Sequence, residues 1–490
     1  MRKNFVNDQR FHMVILCICY LTAHLITACS TSPLYPYSQG ADSALFALVG
    51  RGITEGKIMY TDFFDHKGPF IFFFNALGYF IGGRTGIFLL QGVFGCISLI
   101  FIYKAYSILH SSDHKMYAWD YLFLFVCGYI VCFHTFENGN LTEEYSQPFI
   151  SCSLYLFAKY ATQTKVHPEH PPIYAFVYGI CLAFLAFMRL NNAVSVCAGI
   201  LALFLYLLYT KQYKNLLLNL LFGVLGLSAV VVPVCVYFWY HSALEDMIFA
   251  AFIYNFRIFG GASQYNLLTN PNVYFALYLP IIICFILQIT KIIKSRAITF
   301  IDFLLAIILL CNTINLWIAN RYAHYFALFV PVYIVFLSQY FVIDFKKAVT
   351  YIVILCTLCN ARFLMRNLLW GININFISKS EQITSSAVQQ GISQIPENER
   401  KSIIGYEIPV SYYVHGDILP CYKYYTWQEN WGNVNPEVLA DFMDFLIVDQ
   451  PLWVLTTPEE DNSVLLEILS NQYSLQFKNQ ALSAYRLLEE

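Results

Sequence analysis

The chain has 490 residues, of which 58% are hydrophobic and only 12% charged, with a net charge of −2. That charged fraction is about half of what soluble domains carry, and no single water-soluble core grows large enough to bury so much apolar surface, so lipid is the better solvent. The near-neutral balance excludes nucleic acid as a general partner, and the 15 cysteines, set mostly in apolar runs (Cys17, Cys96, Cys127, Cys181, Cys235, Cys284), read as small hydrophobes rather than as a disulfide framework.

The basic Met1–Arg10 precedes apolar Phe11–Cys29. This segment reads as an uncleaved first span, because further spans follow and the small-residue cleavage pattern is poor. Eleven apolar stretches reach or approach bilayer length: 11–30, 85–108, 119–136, 146–161, 173–189, 192–209, 216–238, 273–290, 300–318, 324–343 and 348–365. Pro69–Phe80 is apolar but short, and suits a re-entrant or interfacial helix or an extension of the second span. With the N-terminus cytoplasmic, the inside segments hold fourteen Lys and Arg against nine in the outside segments up to residue 366. That is the bias expected of a multi-pass bacterial inner-membrane protein. An odd span number then places everything after Arg366 outside. Residues 1–366 thus read as an all-α transmembrane domain with extracytoplasmic loops 31–84 and 239–272, and 367–490 as a soluble extracytoplasmic domain.

The first outside loop is the densest in functional residue types. Residues 43–55 predict a surface helix with Leu45, Phe46, Leu48 and Val49 on its apolar side and Asp42 as N-cap; Gly50, Gly52 and Gly56 weaken it and allow close backbone approach. Tyr60, Asp62, Asp65, His66 and Lys67 follow within a few residues, flanked by Phe63, Phe64 and the apolar run after Pro69. Charges so placed are partly buried and need partners. A carboxylate beside His and Lys binds phosphate or orients a metal, and one with a tuned pKa takes a proton from a hydroxyl.

Further along, Glu143 and Glu144 sit where helix capping is the simplest reading, although adjacent acids on a helix face different ways. Arg189, at a membrane edge, needs an acid or a phosphate as partner. Phe249, Phe252, Ile253 and Phe256 predict one side of an interfacial helix with Arg257 at headgroup depth, either snorkelling or touching a lipid phosphate. Arg321 and His324, three residues apart, share a face between two spans. Beyond residue 373, Ile403–Tyr406 and Leu452–Leu455 predict strands. Asn435-Pro436 starts a helix burying Leu439, Phe442 and Phe445, Glu459–Leu469 is a second helix, and Tyr473–Leu488 alternates like a hairpin. A small α/β layer domain results.

The series Asp42, Gly56, Tyr60, Asp62, Asp65, Lys67, Gly68, Pro69 resembles the polytopic C-type-fold glycosyltransferases, in the branch of the lipid A aminoarabinose transferases and bacterial protein mannosyltransferase-like enzymes (glycosyltransferase family 39/83-like). The resemblance covers roughly residues 1–365. Asp42 is followed by Ser43 where some relatives carry an Asp-Glu pair, and Lys67-Gly68-Pro69 stands where aminoarabinose transferases usually read Lys-Pro-Pro. The resemblance implies an inverting transfer of a sugar from a polyprenyl-phosphate donor to a lipid, glycan or protein acceptor at the outer membrane face. It implies Asp42 as general base, with Glu143 or Glu144 joining it in catalysis or, with a divalent ion (Mg or Mn), as metal ligands together with Asp42. Lys67, Arg257, Arg321, His324 and Tyr60 would hold the donor phosphate, with Asp62, Asp65, His66 and Arg189 in support. The rival readings are a transporter or flippase of lipid-linked envelope precursors, which calls for inverted repeats and midplane charges not seen here, and a non-catalytic assembly partner.

Overall fold

A computed structural model describes residues 9–109, 138–164, 166–256, 271–295, 298–318, 323–338 and 380–488. The chain is predominantly helical, with one small sheet near its C-terminus. In order, the helices used below are α1 (Gln9–Thr27), α2 (Ala41–Thr54), α3 (Pro69–Leu109), α4 (Thr142–Gln163), α5 (Pro172–Ala186), α6 (Val194–Tyr209), α7 (Tyr213–Tyr240), α8 (Pro271–Ser295), α9 (Phe300–Ile318), α10 (Val330–Ser338), α11 (Ser380–Ile392), α12 (Pro436–Val448) and α13 (Ser463–Gln472). Among the described residues, α1, α3, the run Leu190–Tyr209 and α7 are long and apolar enough to cross a bilayer, while α5, Phe300–Leu316 and His324–Phe336 are shorter apolar helices. The chain is a multi-pass membrane protein. Of the eleven expected spans, 119–136 and 348–365 lie outside the described residues, as does the end of 324–343.

The chain divides into two compact units. The first comprises Met1–Ala28, Leu89–Tyr237 and Ser263–Leu369; the second comprises Cys29–Phe88, Phe238–Ala262 and Trp370–Glu490. The C-terminal residues therefore cluster with the first loop and with 238–262.

In the first unit, α4, α5, α6, α9 and α10 share one apolar core that includes Phe157, Tyr178, Leu203, Leu305 and Tyr333. Phe157 stacks on Tyr178 with ring centroids 4.2 Å apart. The side of α7 carrying Leu217, Leu220, Leu221 and Val224 is exposed, as suits a helix bathed in acyl chains.

In the second unit, α3 is not one straight helix. Gly82 and Gly83 leave helical geometry, and Gly83 has φ 58° and ψ −139°, a conformation that glycine tolerates. A Cβ on Gly86 would fall 2.0 Å from the Gly78 carbonyl oxygen. Eight residues of straight helix would hold these two positions roughly 12 Å apart, so the chain bends sharply and Pro69–Ile81 stands as a separate helical segment. Arg84, at the bend, donates to the carbonyls of Ser30, Ser32, Cys29, Tyr35 and Ser38 and so ties down the loop before α2.

The sheet of this unit has the order β1-β2-β4-β3, with β1 (Ile403–Gly405) parallel to β2 (Trp453–Thr456), and β4 (Ser483–Leu487) antiparallel to both β2 and β3 (Tyr473–Lys478). The expected strands, hairpin and helices are present. On α12 the fully buried line is Val438, Phe442 and Leu446, one residue off the expected Leu439 and Phe445. The latter is half-buried and stacks on Tyr422 at 3.9 Å instead. Asn462 caps α13 by accepting from the Val464 and Leu465 amides.

Candidate functional site

Helix α2 begins earlier than its sequence suggests. Gly40, at φ 65°, is the N-cap, and Asp42 lies in the first turn without capping it. Asp42 and Phe46 are one turn apart on the same face, and both reach Lys67. The Lys67 ammonium lies 3.7 Å from an Asp42 carboxylate oxygen, 3.6 Å from Asp65 Oδ2 and 5.0 Å from the Phe46 ring centroid. The three side chains differ sharply in exposure: Asp65 is 0% exposed, Lys67 6% and Asp42 34%. A cation is thus held from behind by a buried acid and an aromatic face, and meets a second acid that is open to solvent.

The loop around Lys67 is built to hold it. Tyr60 takes a left-handed conformation (φ 75°), and its amide donates to the Phe63 carbonyl. Its buried hydroxyl donates to the Lys67 carbonyl at 2.8 Å, so Tyr60 fixes the backbone of Lys67. Burial, with the Asp65 carboxylate adding to it, holds the Tyr60 phenol well above its ordinary pKa, so it remains a donor. Asp65 Oδ1 accepts from the Lys67 amide at 2.8 Å. Asp62 closes the preceding turn by accepting from the Ile58 amide at 2.7 Å and from Lys57 at 3.3 Å. His66 packs edge-on to Trp431, and its carbonyl accepts from Asn255 at 2.7 Å. Phe64 packs against Tyr254, Tyr424 and Trp431, and its amide donates to the Lys423 carbonyl. Tyr254 and Asn255, with Lys423, Tyr424 and Trp431 from the C-terminal residues, therefore hold this loop.

A second group lies in the first unit. Glu144, third residue of α4, accepts from the Asn140 and Leu141 amides at 2.6 and 3.2 Å and from the Gln91 amide at 2.7 Å. It is occupied in starting the helix. Glu143 points elsewhere: it is 1% exposed, with Arg189 Nη1 4.0 Å away. Arg189 lies over the Tyr325 ring, 4.6 Å from its centroid. His324 is buried, its ring edge-on to Tyr325 at 4.7 Å. Asn192 is buried, and its amide donates to Ser146 at 2.8 Å, one turn on from Glu143. Arg257 and Arg321 lie outside the described residues.

The structure thus brings Asp42, Lys67, Asp65 and Tyr60 together in one unit, and Glu143, Arg189 and His324 together in the other. Sequence reasoning gave no site role to Arg84, Phe46, Asn192 and Tyr325. For Phe46 the signal was present, since it stands four residues after Asp42; the others act through contacts distant in sequence. Among the described residues, no three His, Cys, Asp or Glu side chains converge as a metal ligand set, and Asp42 and Glu144 already engage the groups named above.

Comparison with solved structures identifies the fold. The chain superposes on ArnT from Cupriavidus metallidurans bound to undecaprenyl phosphate with a TM-score of 0.59, at 11% identity over 96% of this chain and 97% of that one. The apo form of the same protein gives 0.56 over the same coverage. The archaeal oligosaccharyltransferase AglB from Archaeoglobus fulgidus, in complex with an inhibitory peptide and a dolichol-phosphate, gives 0.54 at 12% identity, covering 92% of this chain and 70% of that one. The chain therefore has the C-type glycosyltransferase fold. No curated protein sequence matches it. Residues 5–351 match the family described as "Putative competence-induced protein Ccs4 N-terminal domain", and because that match spans well over half of its length, the chain belongs to this family.

Proposed function

We propose that this protein is an inverting glycosyltransferase that moves a sugar from a polyprenyl-phosphate donor to a lipid, glycan or protein acceptor at the outer face of a bacterial inner membrane, with its N-terminus cytoplasmic and residues 367–490 extracytoplasmic. The observation that carries the reading is Lys67, nearly buried between the carboxylates of Asp42 and Asp65. The fold it shares with a protein crystallised bound to undecaprenyl phosphate supports the donor class, and the Lys and Arg bias of the loops supports the orientation.

The chemistry follows from the geometry. A donor phosphate approaching Lys67 competes for the ammonium with Asp42, the more exposed of its two acids. Asp65, behind, keeps the cation compensated throughout. Asp42, released from the ion pair, accepts the proton of the acceptor hydroxyl as that oxygen bonds to the anomeric carbon. The bond from the anomeric carbon to the phosphate oxygen breaks, and the polyprenyl phosphate leaves with the electron pair while Lys67 stabilises the charge it gains. Attack opposite the leaving group inverts the anomeric centre.

The test is transfer by wild type and Asp42→Asn in nanodiscs, using undecaprenyl-phosphate-linked sugars radiolabelled in the glycosyl group, one at a time, with an envelope extract as acceptor. Wild type transfers label, and Asp42→Asn loses at least a hundredfold while keeping its thermal unfolding profile. Equal transfer by the two proteins overturns the proposal.

A further inference from the structure

We infer that Glu143, Asn192 and Arg189 form a carbohydrate-recognition subsite within the first unit, in which two buried acceptor oxygens take hydroxyl protons of a sugar ring. The inference rests on the proposed function for the class of ligand and on a separate set of residues for its geometry. Glu143 and Asn192 are each 1% exposed. Glu143 Oε1 and Asn192 Oδ1 are shut from solvent, and neither receives a hydrogen bond from any described residue. Leaving such an oxygen unsatisfied is costly, and native proteins rarely do so without reason.

The neighbouring groups do not relieve either oxygen. Arg189 Nη1 stands 4.0 Å from Glu143 Oε1, beyond hydrogen-bond range. The Asn192 amide nitrogen is committed to Ser146 Oγ at 2.8 Å, and Ser146 in turn donates to the Thr142 carbonyl at 2.7 Å. This chain of bonds fixes the Asn192 amide with its oxygen as the remaining acceptor. The Asn192 backbone amide donates to the Arg189 carbonyl at 2.9 Å, which ties the asparagine and the arginine to one tight turn beside the first turn of α4.

A ligand that reaches both oxygens would supply donors to two acceptors and tolerate a guanidinium nearby. A phosphate or a carboxylate fails, because it brings acceptors only. An apolar chain fails, because it leaves both oxygens unpaired. Sugar hydroxyls satisfy the set: a hydroxyl donates to such an acceptor and keeps lone pairs for donors such as the arginine. The Arg189 side chain, 17% exposed and spread over the Tyr325 ring at 4.6 Å, is the part of the cluster that reaches the surface. A carboxylate, an amide and an aromatic-backed arginine are together suited to the alternating polar edges and apolar faces of a pyranose.

The full chain in nanodiscs tests this by binding of undecaprenyl phosphate alone and of undecaprenyl phosphate carrying glucose, galactose, mannose or N-acetylglucosamine. The readout is the ratio of affinities, sugar-bearing over bare lipid, which a merely structural role would not move. For at least one sugar the wild type shows a ratio above ten, and Glu143→Gln and Asn192→Ala each reduce it about tenfold with bare-lipid affinity unchanged. Glu144→Gln, at the capping acid, leaves the ratio intact. A wild-type ratio near one for every sugar, or a ratio unaffected by both substitutions, overturns the subsite. Failure of the bare lipid to bind at all refutes instead the donor class on which it rests.

Discussion

Replacing Arg84 with methionine keeps the length of the side chain and removes every hydrogen bond it gives to the loop before α2. The guanidinium lies within bonding range of five carbonyls: Nε to Ser30 at 2.9 Å, Nη1 to Ser32 at 3.2 Å, and Nη2 to Cys29, Tyr35 and Ser38 at 3.0, 2.7 and 2.7 Å. Since Nη2 has only two hydrogens, at most two of its three carbonyls are bonded at once, which leaves four simultaneous bonds. A charge-assisted bond contributes about 1.5 kcal/mol net at the low end of its range, so four such bonds sum to about 6 kcal/mol at that end. Bonds that share one guanidinium are not additive, which lowers the realised loss to roughly 3–5 kcal/mol. The loss is local, and amide exchange reads it directly, because the Leu34, Tyr35 and Ser38 amides are bonded inside the tethered loop. Their protection falls by about a hundredfold or more, whereas the β3–β4 hairpin amides do not change. Arg84→Lys keeps the charge but not the fork, and falls between the two. Because the loop leads directly into Gly40 and Asp42, the methionine variant also loses the proposed transferase activity. Loop protection within about threefold of wild type would refute the tether.

Three further outcomes are expected. Lys67→Met removes the ammonium 3.6 Å from the fully buried Asp65 and destabilises the protein by about 3–5 kcal/mol; adding Asp65→Asn restores much of the melting temperature but no activity, and failure of that rescue would count against the buried pair. Glu144→Ala leaves the Asn140 amide, the Leu141 amide and the Gln91 side chain without their common acceptor, and costs about 1–3 kcal/mol in thermal unfolding. The third concerns pH: burial, with Arg84 adding to it, lowers the His415 pKa to about 4 from an ordinary 6.5. Between those values the unfolded chain binds a proton that the folded one does not, so this contribution is full above pH 6.5 and is lost as pH falls toward 4. The ceiling is about 3 kcal/mol, reduced by the partial exposure of the ring, and melting curves of His415→Asn should lack this acid-side slope.

Legibility from sequence followed the range of the interactions. Apolar runs announce helices through composition alone, and the C-terminal sheet was readable because alternation and the Asn435-Pro436 start are local signals. The start of α2 was misread because an aspartate before an apolar run is the usual cap, whereas here Gly40 adopts a positive φ and Asp42 turns to Lys67. Nothing near Arg84 in sequence marks it as a tether, since its carbonyls lie 46 to 55 residues away. The bend at Gly82–Gly83 was visible only as two glycines after a short apolar run, which left its geometry open.

The pair Glu143-Glu144 shows where such reasoning stops and why. Successive residues on a helix point about 100° apart, so two acids at a helix start divide into one that reaches back to the free amides and one that does not. That division is dictated by periodicity, but the assignment is not. Here it is settled by Gln91, 53 residues earlier, which joins the Asn140 and Leu141 amides on Glu144. Three donors on one carboxylate leave Glu143 to face Arg189 and the turn that carries Asn192. A buried acid whose neighbour already performs the capping has no helix-starting role left to explain it, and that is the physical reason to seek its function in a ligand.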